Sequence, residues 1–190
     1  VDTSYHHGDL RETLLAEGRR LLVEQGVEAV TLRELARRAG VSHAAPSRHF
    51  RDRDALLEAI AARGFESLTA ALRDADRLDG QEARLTSYAH AHIAFARDQG
   101  PLMSLMFGTH ATPDGPLDAA AARFFALGAE LLGQRADGDP GALPFLVAGM
   151  FEGIAGLVIA GRLAPERVDA VVADAVAMLL PRLGPPGRRR

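Results

Sequence analysis

A chain of 190 residues without cysteine has no disulfide framework, no thiolate chemistry and no cysteine-based zinc site. Its length admits one domain with a good core, or a small domain joined to a larger one. Its 22 basic residues, all arginine, stand against 25 acidic ones for a net charge of −3, so affinity for a polyanion must come from a local patch.

Abundant alanine, few aromatic residues and no alternating β-branched run predict an all-α fold. The first ten residues are polar and no apolar run follows them, so no signal peptide is expected and a cytoplasmic setting fits. Asp9 and Glu12 have capping-box spacing. Leu10, Leu14, Leu15, Leu21, Leu22 and Val23 then predict a helix that stops at Gly26.

The next stretch, Thr31 to Phe50, is the most informative. Thr31 and Glu34 repeat the capping-box spacing, with the Thr hydroxyl accepting from the Glu34 N–H and the Glu carboxylate reaching back to the Thr31 N–H. Leu32, Leu35, Ala36 and Ala39 form one apolar face, and Gly40 ends the helix at a position that favours positive φ. Val41 reads as a buried hinge. Ser42 is a good N-cap for a second short helix over about His43–His49, closed by Phe50. Pro46 removes an N–H within that helix and predicts an irregular or 3₁₀ start.

Two short helices joined by a glycine-containing turn form a helix-turn-helix unit. Its second helix enters the DNA major groove, and the small or polar residues His43, Ala44, Ala45, Ser47 and Arg48 suit that place. From Arg33 to Arg53 six arginines face only Glu34 and Asp52, a local excess of basic charge in an acidic chain. The competing reading is an ordinary helical hairpin with a solvated arginine face.

The run ELARRAGVSHAAPSRHFRDRDALLEAI resembles the N-terminal domain of the TetR family of bacterial transcriptional repressors. The likeness lies in the Thr31 start, Ala36, the Ala39-Gly40-Val41-Ser42 turn, His49-Phe50 and the Arg53/Ala55-Leu56 start of the next helix. It is specific over about residues 5–60 and architectural beyond them. Tyr5 to Arg11 also resembles a subgroup known for a Trp-His-Gly motif. Its positions fall on Ala148, Glu152 and Gly153, of which only the glycine matches.

The resemblance implies an N-terminal helix-turn-helix domain (1–55), a C-terminal helical ligand-binding and dimerisation domain (56–183) and a tail (184–190). It further implies a double-stranded DNA operator, a small-molecule effector and a homodimer, acting as a regulator of transcription and most simply as a repressor. Thr31, Ser47, His49 and Arg53 would hold phosphates. Ser47 replaces the family's usual phosphate-contacting tyrosine and has a shorter reach. His43, Ala44, Ala45 and Arg48 would face base edges, with Arg33 and Ser42 beside them. The alternative is a helical ligand-binding or interaction module without DNA binding.

Asp52 caps the following helix, which carries Leu56, Leu57, Ile60, Phe65 and Leu68 inward, runs to about Ala75 and contains the domain boundary. Asp79-Gly80 is a break. Helices follow over 81–99 and Leu117–Gln134, with a short apolar turn or helix at 102–107 and a loop from Gly108 to Pro116. Residues 136–142 form another loop. Two last helices are predicted over Leu143–Leu163 and Glu166–Leu180, the latter opened by Pro165, before a Pro/Gly tail from Pro181. The stretch from Leu143 to Gly161 is apolar except for Glu152, which costs about 2.5–3.5 kcal/mol at a bilayer centre. Four glycines and a proline weaken it further as a span, so no membrane is expected.

Met103, Met106, Phe107, Phe124, Phe125 and Phe151 either fill a core or line a ligand pocket, with His92, His110 and Glu152 as the polar groups near them. Glu152, among apolar residues, requires a partner: Arg162, an arginine from another helix, or a ligand amine or amide. Gly149, Gly153, Gly156 and Ala160 allow close helix approach. With Val172, Val176 and Leu179 they form the predicted dimer face. His90 and His92 diverge on a helix and make a poor metal pair. No metal or cofactor is expected. There is no HExxH and no glycine-rich phosphate loop, and Ser47 and His49 point apart on a helix, so no enzyme is expected.

Overall fold

The computed structural model describes residues 7–74, 77–133 and 141–183, with side chains from residue 10 onward. Among them the regular structure is helical throughout, as the composition predicts. Tyr5 and His6, the helix ends expected at Ala75 and Gln134, most of the loop over 136–142 and the tail from 184 lie outside the described residues.

By their contacts the residues fall into two compact units. The first comprises the chain to Gly64 together with Pro101–Ala119; the second comprises Phe65–Gly100 and the chain from Ala120. The sequence reading cuts at residue 55 and puts the boundary within the helix that follows; this division falls after Gly64, in that helix.

In the first unit α1 spans His7–Gln25. It starts before Asp9, so Asp9 lies inside the helix and is not its N-cap. Gly26 follows at φ +82°, and a 3₁₀ turn over Val27–Ala29 leads to α2, Leu32–Arg38. Helix α3, Arg53–Leu72, begins under Asp52, whose carboxylate accepts the Ala55 N–H at 2.8 Å. That bond and the neighbouring Arg51 hold the Asp52 carboxyl below its ordinary pKa. The core holds Leu14 and Leu21 from α1, Leu35 and Ala36 from α2, Phe50, and Leu56 and Ile60 from α3. Gly18 lets the helices close up: a Cβ there would stand 2.6 Å from Ile60 and 3.4 Å from Leu35.

The apolar turn after residue 100 is a full helix, α5, Gly100–Gly108. It lies close to α3 because Gly64 has no side chain; a Cβ there would meet the Met106 sulfur at 2.5 Å. The following loop is pinned to α3 by one carboxylate. Glu58 accepts both the backbone N–H and the hydroxyl of Thr112, each at 3.0 Å.

In the second unit α4 (Gln81–Asp98) packs on α7 (Ala142–Ile159) and α8 (Val168–Leu179), joined by α6 (Pro116–Leu131) from Ala120 onward. Leu85, Tyr88, Ala89, His92, Ile93 and Ala96 give α4 one buried stripe at helical spacing. Helix α7 ends four residues short of the predicted Leu163. Gly161 takes φ +65°, and Arg162 N–H reaches back to the Leu157 carbonyl at 2.9 Å, a glycine-centred stop. Pro165 opens a 3₁₀ turn rather than α8 itself, and Leu180–Arg182 form another, so ordered structure continues past Pro181.

Helix α7 is long and apolar enough to cross a bilayer. Its Val147, Phe151 and Ile154 are buried in the second unit, and Glu152 hydrogen-bonds His92 in α4. A third of the helix is buried in the second unit, while Phe145, Leu146, Leu157 and Ile159 stay exposed.

Candidate nucleic-acid interface and helical pocket

The Thr31 hydroxyl accepts the Glu34 N–H at 3.2 Å, as the spacing predicts. The returning half of the capping box is absent. The Glu34 carboxylate turns instead to Arg37, at 2.6 and 2.8 Å, and to Arg38 at 2.8 Å. A charged fork outcompetes a single backbone N–H for a carboxylate. Hydrogen bonds from Arg37 and then Arg38 hold the Glu34 carboxyl down at about 2. The sign of the linkage follows. Stability from these bonds is complete above the ordinary value of 4.5 and is lost as pH falls from there toward 2. Thermal melts should therefore show Glu34→Gln less stable than wild type at neutral pH, with the gap closing across that acid window.

Helix α2 stops in a Schellman motif. Gly40 has φ +67°, its N–H bonds the Arg37 carbonyl, and Val41 N–H bonds the Ala36 carbonyl at 3.0 Å. Val41 is half-buried, not buried. The predicted α-helix over His43–His49 does not form. In its place is a 3₁₀ turn over Pro46–Arg48. Pro46 has no N–H to return to Ser42, whose carbonyl takes the Ala45 N–H at 3.0 Å instead. The bonds that follow, Arg48 to Ala45 and His49 to Pro46, keep the same three-residue step.

The turn still sorts its side chains. Pro46 and Phe50 are buried, Ala45 and His49 are half-buried, and Ser42, His43, Ala44, Ser47 and Arg48 are exposed. Arg33 is exposed too, and no ion pair among the described residues engages it or Arg48. Thr31, Arg33, Glu34, Arg37 and His43 line a cavity of about 360 Å³. Arg53 is different. Its guanidinium donates to the Val30 carbonyl at 2.9 Å and the Val27 carbonyl at 2.6 Å, with Glu28 3.6 Å away.

The nine expected pocket residues are divided between the two units. Met103 and Met106 are buried in the first unit, where Phe107 and His110 are exposed. In the second unit His92, Phe124 and Phe151 are buried, with Phe125 and Glu152 half-buried. The partner of Glu152 is neither Arg162 nor another arginine. It is His92, Nε2 to Oε2 at 3.1 Å. Opposite that bond the His92 Nδ1 is buried without a partner. Tyr88, which is not among the expected pocket residues, completes the group: its ring lies 6.1 Å from His92 and 5.5 Å from Phe151, and burial pushes its phenol above the ordinary pKa.

Gly149, Gly153 and Gly156 of α7 and Ala160 at its C-cap are all exposed. Val172, Val176 and Leu179 are not. They are between 0% and 7% exposed and belong to the core of the second unit, so they are removed from the expected dimer face. A stripe of valine and leucine at helical spacing marks a buried face without saying what buries it. The outward side of α8 carries Met178, 71% exposed.

An N-capped helix bearing the exposed Arg33, a Schellman turn and a short outward segment bearing the exposed Arg48 are the parts of a helix-turn-helix regulator of transcription. The chain belongs to the TetR family. The sequence model described as bacterial regulatory proteins, tetR family, matches residues 14–60. A solved protein of unknown function from Rhodococcus sp. RHA1 is 39% identical, over 97% of this chain and 100% of that one, with a TM-score of 0.79. A tetR-family bacterial regulatory protein from Rhodococcus RHA1 shares the fold at 19% identity, TM-score 0.64, over 92% and 97% of the two chains. So does a single-residue variant of TetR from Acinetobacter baumannii AYE in complex with minocycline, at 20% identity, TM-score 0.62, over 90% and 94%. No curated protein matches the sequence.

Proposed function

We propose that the protein is a cytoplasmic repressor that holds its operator as a homodimer and releases it when a small molecule binds the helical unit. The observation that carries the DNA-binding part is the exposed pair Arg33 and Arg48 on the matched domain, neither of them in an ion pair among the described residues. The Ala44 methyl and Arg48 suit base edges, and Thr31, Ser47 and His49 suit phosphates. The minocycline complex of the A. baumannii protein supports a ligand response in this fold. Here the buried His92–Tyr88–Phe151 group, with Glu152 half-exposed beside it, is the best place for polar recognition within an apolar surround. A ligand there shifts operator affinity only by binding the two states of the protein unequally.

A fluorescence titration with duplex DNA enriched from random oligonucleotides tests the reading. Wild type should bind with an affinity that falls steeply as salt rises. Arg48→Ala should cost about 1–3 kcal/mol and relax the base preference at one position. Failure to enrich any duplex would remove the assignment.

A further inference from the structure

We infer that Arg53 is a positioning residue for operator binding, which closes the helix-turn-helix on itself instead of gripping a phosphate. The inference rests on the DNA-binding reading above. Its two carbonyl acceptors, Val30 and Val27, lie 23 and 26 residues earlier in the chain. Between them and Arg53 lies the whole of the helix-turn-helix, from the Thr31 cap to the Asp52 cap. One guanidinium therefore ties together the two ends of that segment.

The acceptors are well placed for this. Val30 is fully buried and immediately precedes the Thr31 cap, so orienting its carbonyl orients the start of α2. The Val27 carbonyl already takes the Val30 N–H at 3.1 Å and receives Arg53 as well, which locks the 3₁₀ turn over Val27–Ala29. The recognition segment has little regular structure of its own: a 3₁₀ turn over three residues, opened by Pro46. A segment without a continuous helical ladder depends on its anchors for its direction. Phe50 and Pro46 supply the apolar anchor, and Arg53 supplies the polar one. The fork geometry is needed, because Nε and one terminal nitrogen serve two different carbonyls, which a single ammonium on a flexible stem does not reproduce.

The experiment compares wild type, Arg53→Gln and Arg53→Lys on one enriched duplex across a salt series, with amide hydrogen exchange on the free proteins. A positioning role predicts at least a tenfold loss of affinity in both variants with an unchanged slope of log K against log salt. It also predicts faster exchange over residues 31–50, and no rescue by lysine. A phosphate contact predicts a slope smaller by about 0.9, unchanged exchange and rescue by lysine, and that result overturns the inference while leaving DNA binding intact. Absence of duplex binding by wild type overturns both. Should Arg53→Gln fail to fold, the lysine variant decides the matter by the same readouts.

Discussion

Gly153→Arg should convert the protein to a folded monomer of about 20.2 kDa and lower affinity for a two-half-site operator by roughly 10²–10⁴-fold. The reasoning begins with space. A Cβ at Gly149, Gly153 or Gly156 meets nothing within 4 Å, so a side chain there disturbs no neighbour within the chain. The same helix carries exposed apolar groups that water does not favour: Leu146 at 62%, Leu157 at 49% and Ile159 at 55%. Small residues beside large exposed ones suit a second helix pressed closely against α7. In a two-fold dimer each substitution enters the interface twice, and a buried, unpaired guanidinium is strongly unfavourable there. Operator affinity follows because linking two recognition units makes the second contact intramolecular. Light scattering and circular dichroism read the two halves of the claim. A variant that stays dimeric would place the interface elsewhere.

Phe151→Ala should destabilise the second unit by roughly 3–5 kcal/mol, the range for truncating a buried aromatic ring. Phe151 is fully buried, with Tyr88 5.5 Å and His92 6.5 Å away, ring to ring. Removing it strips one wall from the His92–Glu152 pair and leaves a void beside the unpartnered Nδ1. Against a typical total stability of about 5–15 kcal/mol, this is a large fraction. The urea midpoint should fall with little change in slope. A loss below about 1 kcal/mol would mean that α7 does not depend on α4 for its place.

The local signals in the sequence were strong wherever one residue type answers one backbone demand. Thr31 at a helix start, Gly26 and Gly40 at left-handed positions and Asp52 under α3 all act within four or five residues of themselves. Pro46 is the same kind of case: its missing N–H forecast the 3₁₀ turn, but not that the turn would replace the recognition helix altogether. The α4 stripe was legible because helical periodicity repeats often enough to be unambiguous.

Partner choice was not legible. Glu34 was assigned to a backbone N–H and went to two arginines one turn away. Glu152 was assigned to an arginine or a ligand and went to His92, 60 residues distant. The resemblance gives Arg53 to a phosphate, and in the fold its guanidinium bonds two carbonyls. Val172, Val176 and Leu179 looked like an interface and lie in the core.

By itself, then, the sequence determined the helical class, the helix-turn-helix segment with its Thr31 and Asp52 caps, and the basic character of that segment, because each depends on residue types and hydrogen bonds over a few residues. Tertiary structure alone decided which carboxylate meets which cation, which apolar stripe is core, and which glycines remain open. Those outcomes depend on the positions of atoms far apart in the chain, and a charge or a methyl group has no preference for one partner over another until the fold brings one within reach.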